Sequence, residues 1–126
     1  MQYARPFAIL AILMISGHAA TAQDAEAGKA AFKPCVPCHE AETERNKVGP
    51  HLKGVVGRKA ASVQGYNYSP AMKKAGEEGL VWDEATLAKY LADPKATVPG
   101  TKMVFPGMKD PTAVQNVIAY LKSVSG

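Results

Sequence analysis

Two cysteines and a histidine stand together in the segment Cys35-Val36-Pro37-Cys38-His39. This C-x-x-C-H spacing is the attachment signature of c-type haem. Two thiols one helical turn apart can each add to one vinyl group of a haem and form two thioether bonds. The histidine that follows the second thiol then lies under the iron, and imidazole is a suitable iron ligand. The pattern therefore indicates a covalently bound cofactor and one axial ligand.

Two other uses of the Cys-x-x-Cys pair compete with haem attachment. The thiols could cycle between dithiol and disulfide, but a thioredoxin-like motif accompanies a βαβ pattern that this sequence lacks. They could supply half of a zinc site, yet no second cysteine pair follows. A disulfide between such close residues closes too short a loop to stabilise much. The sequence favours haem attachment, with a disulfide redox protein as one alternative.

A haem with one histidine ligand needs a sixth ligand or keeps an open position. Besides several lysines, the candidates are Met72, Met103, Met108 and His51. Each methionine could instead be a flexible filler of the core. Met103 lies in a stretch where a proline and a glycine fix the shape of a loop, which a ligand carried on a loop needs. Met108 is a weaker candidate, and His51 is expected at the surface.

The first residues of the chain have the pattern of an export signal. Residues 1–22 combine one positive charge, an apolar run from Phe7 to Ile15 and a small-residue cleavage site at Ala20-Thr21-Ala22. The apolar run is short for a membrane span. We therefore expect residues 1–22 to be a cleaved signal peptide and residues 23–126 to form one domain in the periplasm, without stable membrane insertion after cleavage.

The net charge of the chain and its distribution indicate which class of macromolecule the protein could bind. The 126 residues include 15 Lys and Arg and 11 Asp and Glu, which gives a net charge of +4. The basic residues are scattered rather than gathered in a run, so nucleic acid is not an expected partner. A localised positive face that docks an acidic protein fits this composition better.

Four segments have the caps or the apolar spacing of short helices. Ser69 and Pro70 are a typical helix start, and Asp83 and Asp110 begin two others. The predicted helices cover residues 24–33, 69–76, 83–93 and 110–124.

The remaining segments are predicted to lack regular structure. Residues 40–48 are expected to be a loop or a frayed helix, and residues 52–63 irregular structure. Residues 95–109 are expected to be one long shaped loop, which in a compact domain is usually functional. Gly28 is expected to allow close packing of the first helix, and Gly76 to end the second. The sequence thus predicts an all-α fold of four or five short helices and loops. The large apolar side chains are too few to fill its centre, which favours a buried cofactor.

Several segments, in their order and rough spacing, resemble class I cytochrome c. They are Cys35 to His39, Gly49-Pro50, Gly57-Arg58-Lys59, Pro99-Gly100-Thr101-Lys102-Met103 and Ile118 to Lys122. The Pro-Gly-Thr-Lys-Met segment is the most specific of them. The resemblance covers nearly all of residues 23–126 and is strongest toward bacterial cytochrome c2 and mitochondrial cytochrome c. It implies the small class I cytochrome c fold, with helices and loops wrapped round one haem.

The resemblance also implies the ligands of the cofactor. One haem c would be attached through Cys35 and Cys38, with His39 as the proximal ligand of the iron and Met103 as the distal one. The carbonyl of Pro50 would accept a hydrogen bond from the other imidazole nitrogen, which orients the ring and tunes its basicity.

Further residues take their expected roles from the same resemblance. Arg58, Tyr68 and Trp82 would hold the haem propionates, while Tyr90 and Thr101 would lie near the sulfur of Met103. Taken without the family pattern, the aromatic residues Trp82, Tyr90 and Tyr120 could be plain core residues. Arg58, next to Lys59, could be a solvated surface cation. The residues that would pack the first helix against the last are Gly28, Phe32, Tyr120 and Leu121. The chain departs from mitochondrial relatives at Met72, where they place a polar residue near the haem.

The function implied by the resemblance is that of a soluble, monomeric, periplasmic one-electron carrier, not an enzyme. Its donor would resemble a cytochrome bc1 complex, and its acceptor a terminal oxidase, a photosynthetic reaction centre or a periplasmic reductase. A ring of lysines at the haem edge would attract and orient a redox partner that has an acidic docking face. These lysines are Lys33, Lys47, Lys95, Lys102 and Lys109. The rival from another class is a haem enzyme or gas sensor with an open distal position.

Overall fold

The computed structural model describes residues 24–125, so the predicted signal peptide lies outside the described residues. Five α-helices occur in this range: α1 Ala25–Ala31, α2 Pro70–Glu77, α3 Glu84–Ala92, α4 Pro94–Thr97 and α5 Pro111–Ser123. A 3₁₀ turn, Lys33–Cys35, leads from α1 into the Cys-x-x-Cys-His segment. Between residues 24 and 125 the only β pairing is a single bridge between Lys59 and Val81. The predicted all-α fold of four or five short helices is confirmed.

Each of the five described α-helices begins at a side chain that accepts a hydrogen bond from its first turn, where backbone N–H groups have no partner inside the helix. The caps at Ser69, Asp83 and Asp110 confirm the three predicted helix starts. Asp24 caps α1 by accepting from the N–H groups of two following residues. None of the helices among the described residues is long and apolar enough to cross a membrane.

Two predicted boundaries were wrong. Residues 95–109 are not wholly a loop, because Pro94–Thr97 form α4. The Asp93 side chain accepts a hydrogen bond from the N–H of Ala96 at 3.2 Å, so the Asp-Pro pair that ends α3 also starts a helix. Gly76 does not end α2 but lies buried inside it. A Cβ at Gly76 would lie 2.4 Å from the carbonyl oxygen of Ala60, so close packing explains this glycine.

The first and last helices pack tightly against each other, as predicted. A Cβ at Gly28 would lie 1.8 Å from the carbonyl oxygen of Asn116, so α1 and α5 approach this closely only with glycine there. The rings of Phe32 and Tyr120 meet at 5.4 Å between centroids, and Leu121 is buried beside them. This helix pair closes one side of the molecule.

Substitution of Gly28 by alanine is expected to lower the free energy of unfolding of the haem-loaded protein. Alanine is the better helix former, but the added methyl group collides with backbone, and such overpacking costs about 1–3 kcal/mol. Chemical denaturation measures the change. The control Ala30→Val adds bulk at an exposed position of the same helix and should cost less than about 1 kcal/mol. Equal stability of Gly28→Ala and the parent protein would contradict the tight crossing.

Candidate cofactor site

A cavity of about 380 Å³ lies between the helices and the long loops. This volume is in the range of cofactor and small-molecule sites. The wall is largely apolar and includes Phe32, Leu52, Val55, Met72, Leu87, Leu91, Val117 and Leu121. The structure brings every predicted site residue to this one cavity, namely Cys35, Cys38, His39, Arg58, Tyr68, Trp82 and Met103.

The ring of His39 is held in one orientation. Its Nδ1 lies 2.7 Å from the carbonyl oxygen of Pro50. Since a carbonyl only accepts, Nδ1 carries the proton and Nε2 keeps the lone pair that a metal needs. Burial lowers the pKa of His39, and the bond to Pro50 raises it only in part. The imidazole is therefore kept neutral, which is the form that binds metals.

Gly49 lies directly against the imidazole of His39. A Cβ at Gly49 would lie 2.3 Å from Cε1 of the ring, and the N–H of Gly49 donates to the carbonyl oxygen of Cys38 at 2.8 Å. The turn at residues 49–50 therefore fixes the ring both by contact and by hydrogen bonding.

The two thiols lie on one turn of chain next to this ring. The N–H groups of Cys38 and His39 both donate to the carbonyl oxygen of Cys35, at 3.0 and 2.9 Å. Burial raises the pKa of the Cys35 thiol, and the neighbouring Cys38 raises it further. A redox-active Cys-x-x-Cys pair normally has a lowered thiol pKa. The environment of Cys35 therefore argues against the disulfide redox alternative.

Hydrogen bonds to α3 position the loop that carries Met103. The hydroxyl groups of Tyr90 and Thr101 lie 2.8 Å apart, and the Thr101 oxygen accepts from the N–H of Met103 at 3.4 Å. Burial raises the pKa of Tyr90, so its phenol stays protonated. Of the three candidate methionines, Met72 and Met103 line the cavity and Met108 does not.

A cationic group that lines the cavity has no acidic partner among the described residues. The Arg58 guanidinium donates to the backbone carbonyls of His51 at 3.0 Å and Lys53 at 3.3 Å. It forms no ion pair with any of the residues that the structure describes. Burial lowers the pKa of Arg58, since desolvation disfavours its charge. The Tyr68 oxygen accepts from the N–H of Val63 at 3.1 Å, which leaves its O–H free to donate to an anion.

The comparisons with known proteins agree with this geometry. The Cytochrome c family model matches residues 25–125. The chain belongs to the cytochrome c family.

Individual relatives are similar over most of the chain. Cytochrome c2 iso-2 of Magnetospirillum fulvum is 54% identical over 94 residues, which are 75% of this chain and 95% of that protein. The structure of cytochrome cH from Methylobacterium extorquens shares 57% identity and a TM-score of 0.73, covering 79% of this chain and 98% of its own. The structure of cytochrome c2 from Rhodospirillum centenum gives a TM-score of 0.77 at 37% identity, covering 82% of this chain and 99% of its own.

As a member of the cytochrome c family, the protein carries one haem c, bound covalently through Cys35 and Cys38, and works as an electron carrier. The residues of the cavity fit this group. Its wall is apolar, and a neutral imidazole lies beside the two thiols. The Arg58 guanidinium on the cavity wall suits an anionic propionate.

Sequence reasoning missed one residue of this cytochrome. Tyr66 lines the cavity, although the sequence predicted no role for it. Its contacts with Val48 and Lys102 join segments that are distant in sequence, so no local signal pointed to it. His51, expected at the surface, is partly exposed, with its Nδ1 buried; burial lowers its pKa.

Substitution of Gly49 by alanine is expected to displace the His39 ring. The new methyl group would overlap the imidazole, so we expect a loss of about 1–3 kcal/mol in unfolding free energy and a change in the low-spin spectrum of the haem. Absorption spectroscopy and denaturation measure both effects.

A matched control separates ring contact from backbone strain. Gly54 has a φ of +74° and open space where an added methyl group would lie, so Gly54→Ala should lower stability by about 1–2 kcal/mol without altering the spectrum. An unchanged spectrum in Gly49→Ala would show that Gly49 does not fix the ring.

Proposed function

We propose that His39 and Met103 are the two axial ligands of the haem iron, and that the protein transfers single electrons without catalysing a reaction. The observation that supports this most is that one cavity receives both side chains, from loops more than sixty residues apart in sequence. Bound there, the haem supplies a one-electron change between ferric and ferrous iron. The protein's own residues hold the haem, orient its ligands and limit access to the iron.

The chain prepares each ligand differently. His39 is oriented by Pro50 at 2.7 Å and presents Nε2. Met103 is presented by a loop that Thr101 and Tyr90 tie to α3. Methionine ligation and burial both favour a high reduction potential. A ligand pair that fills both positions leaves no open coordination site, which favours electron transfer over chemistry at the metal.

Arg58, Tyr68 and Trp82 are proposed to hold the propionates. The support is their common position on the cavity wall, the spare N–H donors of Arg58 and the free O–H of Tyr68. A carboxylate placed there would gain charge-assisted hydrogen bonds and would neutralise a half-buried cation that otherwise has no ionic partner among the described residues.

We place this carrier in the periplasm, between a bc1-type donor and an oxidase, reaction centre or periplasmic reductase. The support is the predicted signal peptide together with relatives named cytochrome c2 and cytochrome c-550. The mouth of the cavity also offers an apolar contact, since Val104 is fully exposed and lines the cavity. An apolar centre with a charged rim is a common design of protein interfaces.

The lysines expected at this face do not all have the same environment. Four of them are exposed, namely Lys33, Lys95, Lys102 and Lys109. Lys47 differs, because only 22% of its side chain is exposed and its ammonium lies 3.3 Å from Glu40 and 2.5 Å from the Val36 carbonyl oxygen. We therefore propose that Lys47 stabilises the segment around the cysteines more than it attracts partners.

The variant Met103→Ala is expected to keep its haem, because both cysteines remain, and to bind CO readily once reduced. Absorption spectra with and without CO measure this. The control Met108→Ala removes a methionine that does not line the cavity and should keep the parent spectrum. If Met103→Ala also kept the parent spectrum, Met103 would not be the distal ligand.

Neutralising the exposed lysines is expected to slow association with a bc1-type complex. Lys33→Gln and Lys95→Gln should each lower the rate at low salt. The difference should shrink as salt rises, because the screening length falls from about 30 Å at 0.01 M to about 10 Å at 0.1 M.

Stopped-flow reduction across ionic strengths measures these rates. Lys122→Gln serves as the control, since Lys122 lies on α5 and pairs with Glu84 at 3.4 Å. A parent rate that did not depend on salt would contradict electrostatic docking.

A further inference from the structure

Tyr66 connects its own loop to two other loops at the mouth of the cavity. Its hydroxyl donates to the carbonyl oxygen of Val48 at 2.7 Å, in the turn that also positions His39. Its ring packs edge-on against Tyr68, with centroids 4.8 Å apart. The Nζ of Lys102 lies over the same ring, 4.6 Å from its centroid. One aromatic side chain thus contacts the turn beside His39, the proposed propionate-binding residue Tyr68 and the distal loop, which is the loop that carries Met103.

Lys102 has a second contact with the same segment. Its ammonium donates to the carbonyl oxygen of Asn67, the residue that follows Tyr66. Lys102 immediately precedes Met103, so both contacts act on the backbone that carries this methionine. The Lys102 ammonium is held both over the Tyr66 ring and at the Asn67 carbonyl. These two contacts keep the loop that carries Met103 next to residues 66–67.

The chain on the other side of Met103 is held weakly. Within the described structure, the backbone N–H groups of Val104, Phe105 and Gly107 have no protein acceptor, and Val104 is fully exposed. The next backbone anchor is Met108, whose N–H donates to the carbonyl oxygen of Leu91 at 2.7 Å. Segments with few buried contacts and free backbone groups are the ones that open locally.

We propose that Tyr66 and Lys102 form a latch that keeps the distal loop closed over the haem and so keeps Met103 on the iron. This inference rests on the proposed His39 and Met103 ligation. Neither latch residue is a proposed ligand of the iron, so both are positioning residues. Breaking the latch should raise the fraction of molecules in which the loop is open and the distal position can be reached from solvent.

The test measures opening of the loop through the binding of imidazole to the ferric protein at neutral pH. Imidazole can bind only after Met103 leaves, so at high imidazole concentration the observed rate levels off at the opening rate. Tyr66→Leu and Lys102→Gln should each increase opening about two- to fivefold, the factor that corresponds to an exposed cation–π contact. Because both variants remove the contact between Lys102 and the Tyr66 ring, the opening factor of the double variant should be smaller than the product of the two single factors.

Two further variants make the comparison specific. Tyr66→Phe keeps the ring under Lys102 and should open less than Tyr66→Leu. Lys73→Gln removes an exposed lysine of α2 that has no ring contact with Tyr66 in the described part of the chain, and its opening rate should match that of the parent protein. Amide hydrogen exchange of Thr101 and Met103, whose N–H groups have acceptors within the protein, gives a readout that is independent of imidazole and should rise in the same order.

The outcomes separate failure of the latch from failure of the ligand assignment. Ligation by Met103 predicts a sulfur-to-iron band in the absorption spectrum of the ferric protein. If the parent protein shows this band but both single variants open at the parent rate, the latch proposal is wrong. Factors that multiply in the double variant would also overturn it, since the two residues would then act independently. A parent protein without that band, in which the imidazole rate never levels off, would instead overturn the ligation by Met103.

Discussion

The structure depends on an apolar cavity that the chain does not fill with its own side chains. The helices around it are short, and α2 packs against no other helix of residues 24–125; its buried Met72 is instead part of the cavity wall. Short isolated helices are marginal in water and take most of their stability from tertiary packing. The covalent haem therefore completes the hydrophobic core as well as serving as the redox centre. A thioether link to Cys35 and Cys38 prevents loss of a group on which the packing depends.

The two sides of the proposed iron site are built with different rigidity. On the proximal side, His39 follows the attached cysteines directly and is confined by Gly49 and Pro50. On the distal side, Met103 is carried by a loop that side chains from elsewhere hold in place. This difference explains why any exchange of ligands should begin at the methionine. It also explains why residues remote from the iron can influence whether the distal position stays closed.

Sequence reasoning succeeded where the signal is local. The cysteine spacing, the caps at Ser69, Asp83 and Asp110, and the apolar face of α5 are each contained in a few neighbouring residues. Sequence reasoning failed where one residue pair both ends one helix and starts the next, and where contacts between distant residues decide the role of a side chain. Asp93-Pro94 both ends and starts a helix, and Gly76 lies inside α2 rather than at its end because it packs against the backbone of Ala60. The contact of Tyr66 with Lys102 joins residues 36 positions apart, and no periodicity in the sequence predicts it.

The absorption spectrum of the haem-loaded protein, recorded oxidised, then reduced, then reduced with CO, tests the axial ligation most directly. Ligation by His39 and Met103 predicts low-spin haem in both oxidation states, a sulfur-to-iron band in the ferric protein and no change on adding CO. A ferric spectrum without that band, together with a strong response of the reduced protein to CO, would show an open iron and would contradict the assignment of a closed electron carrier.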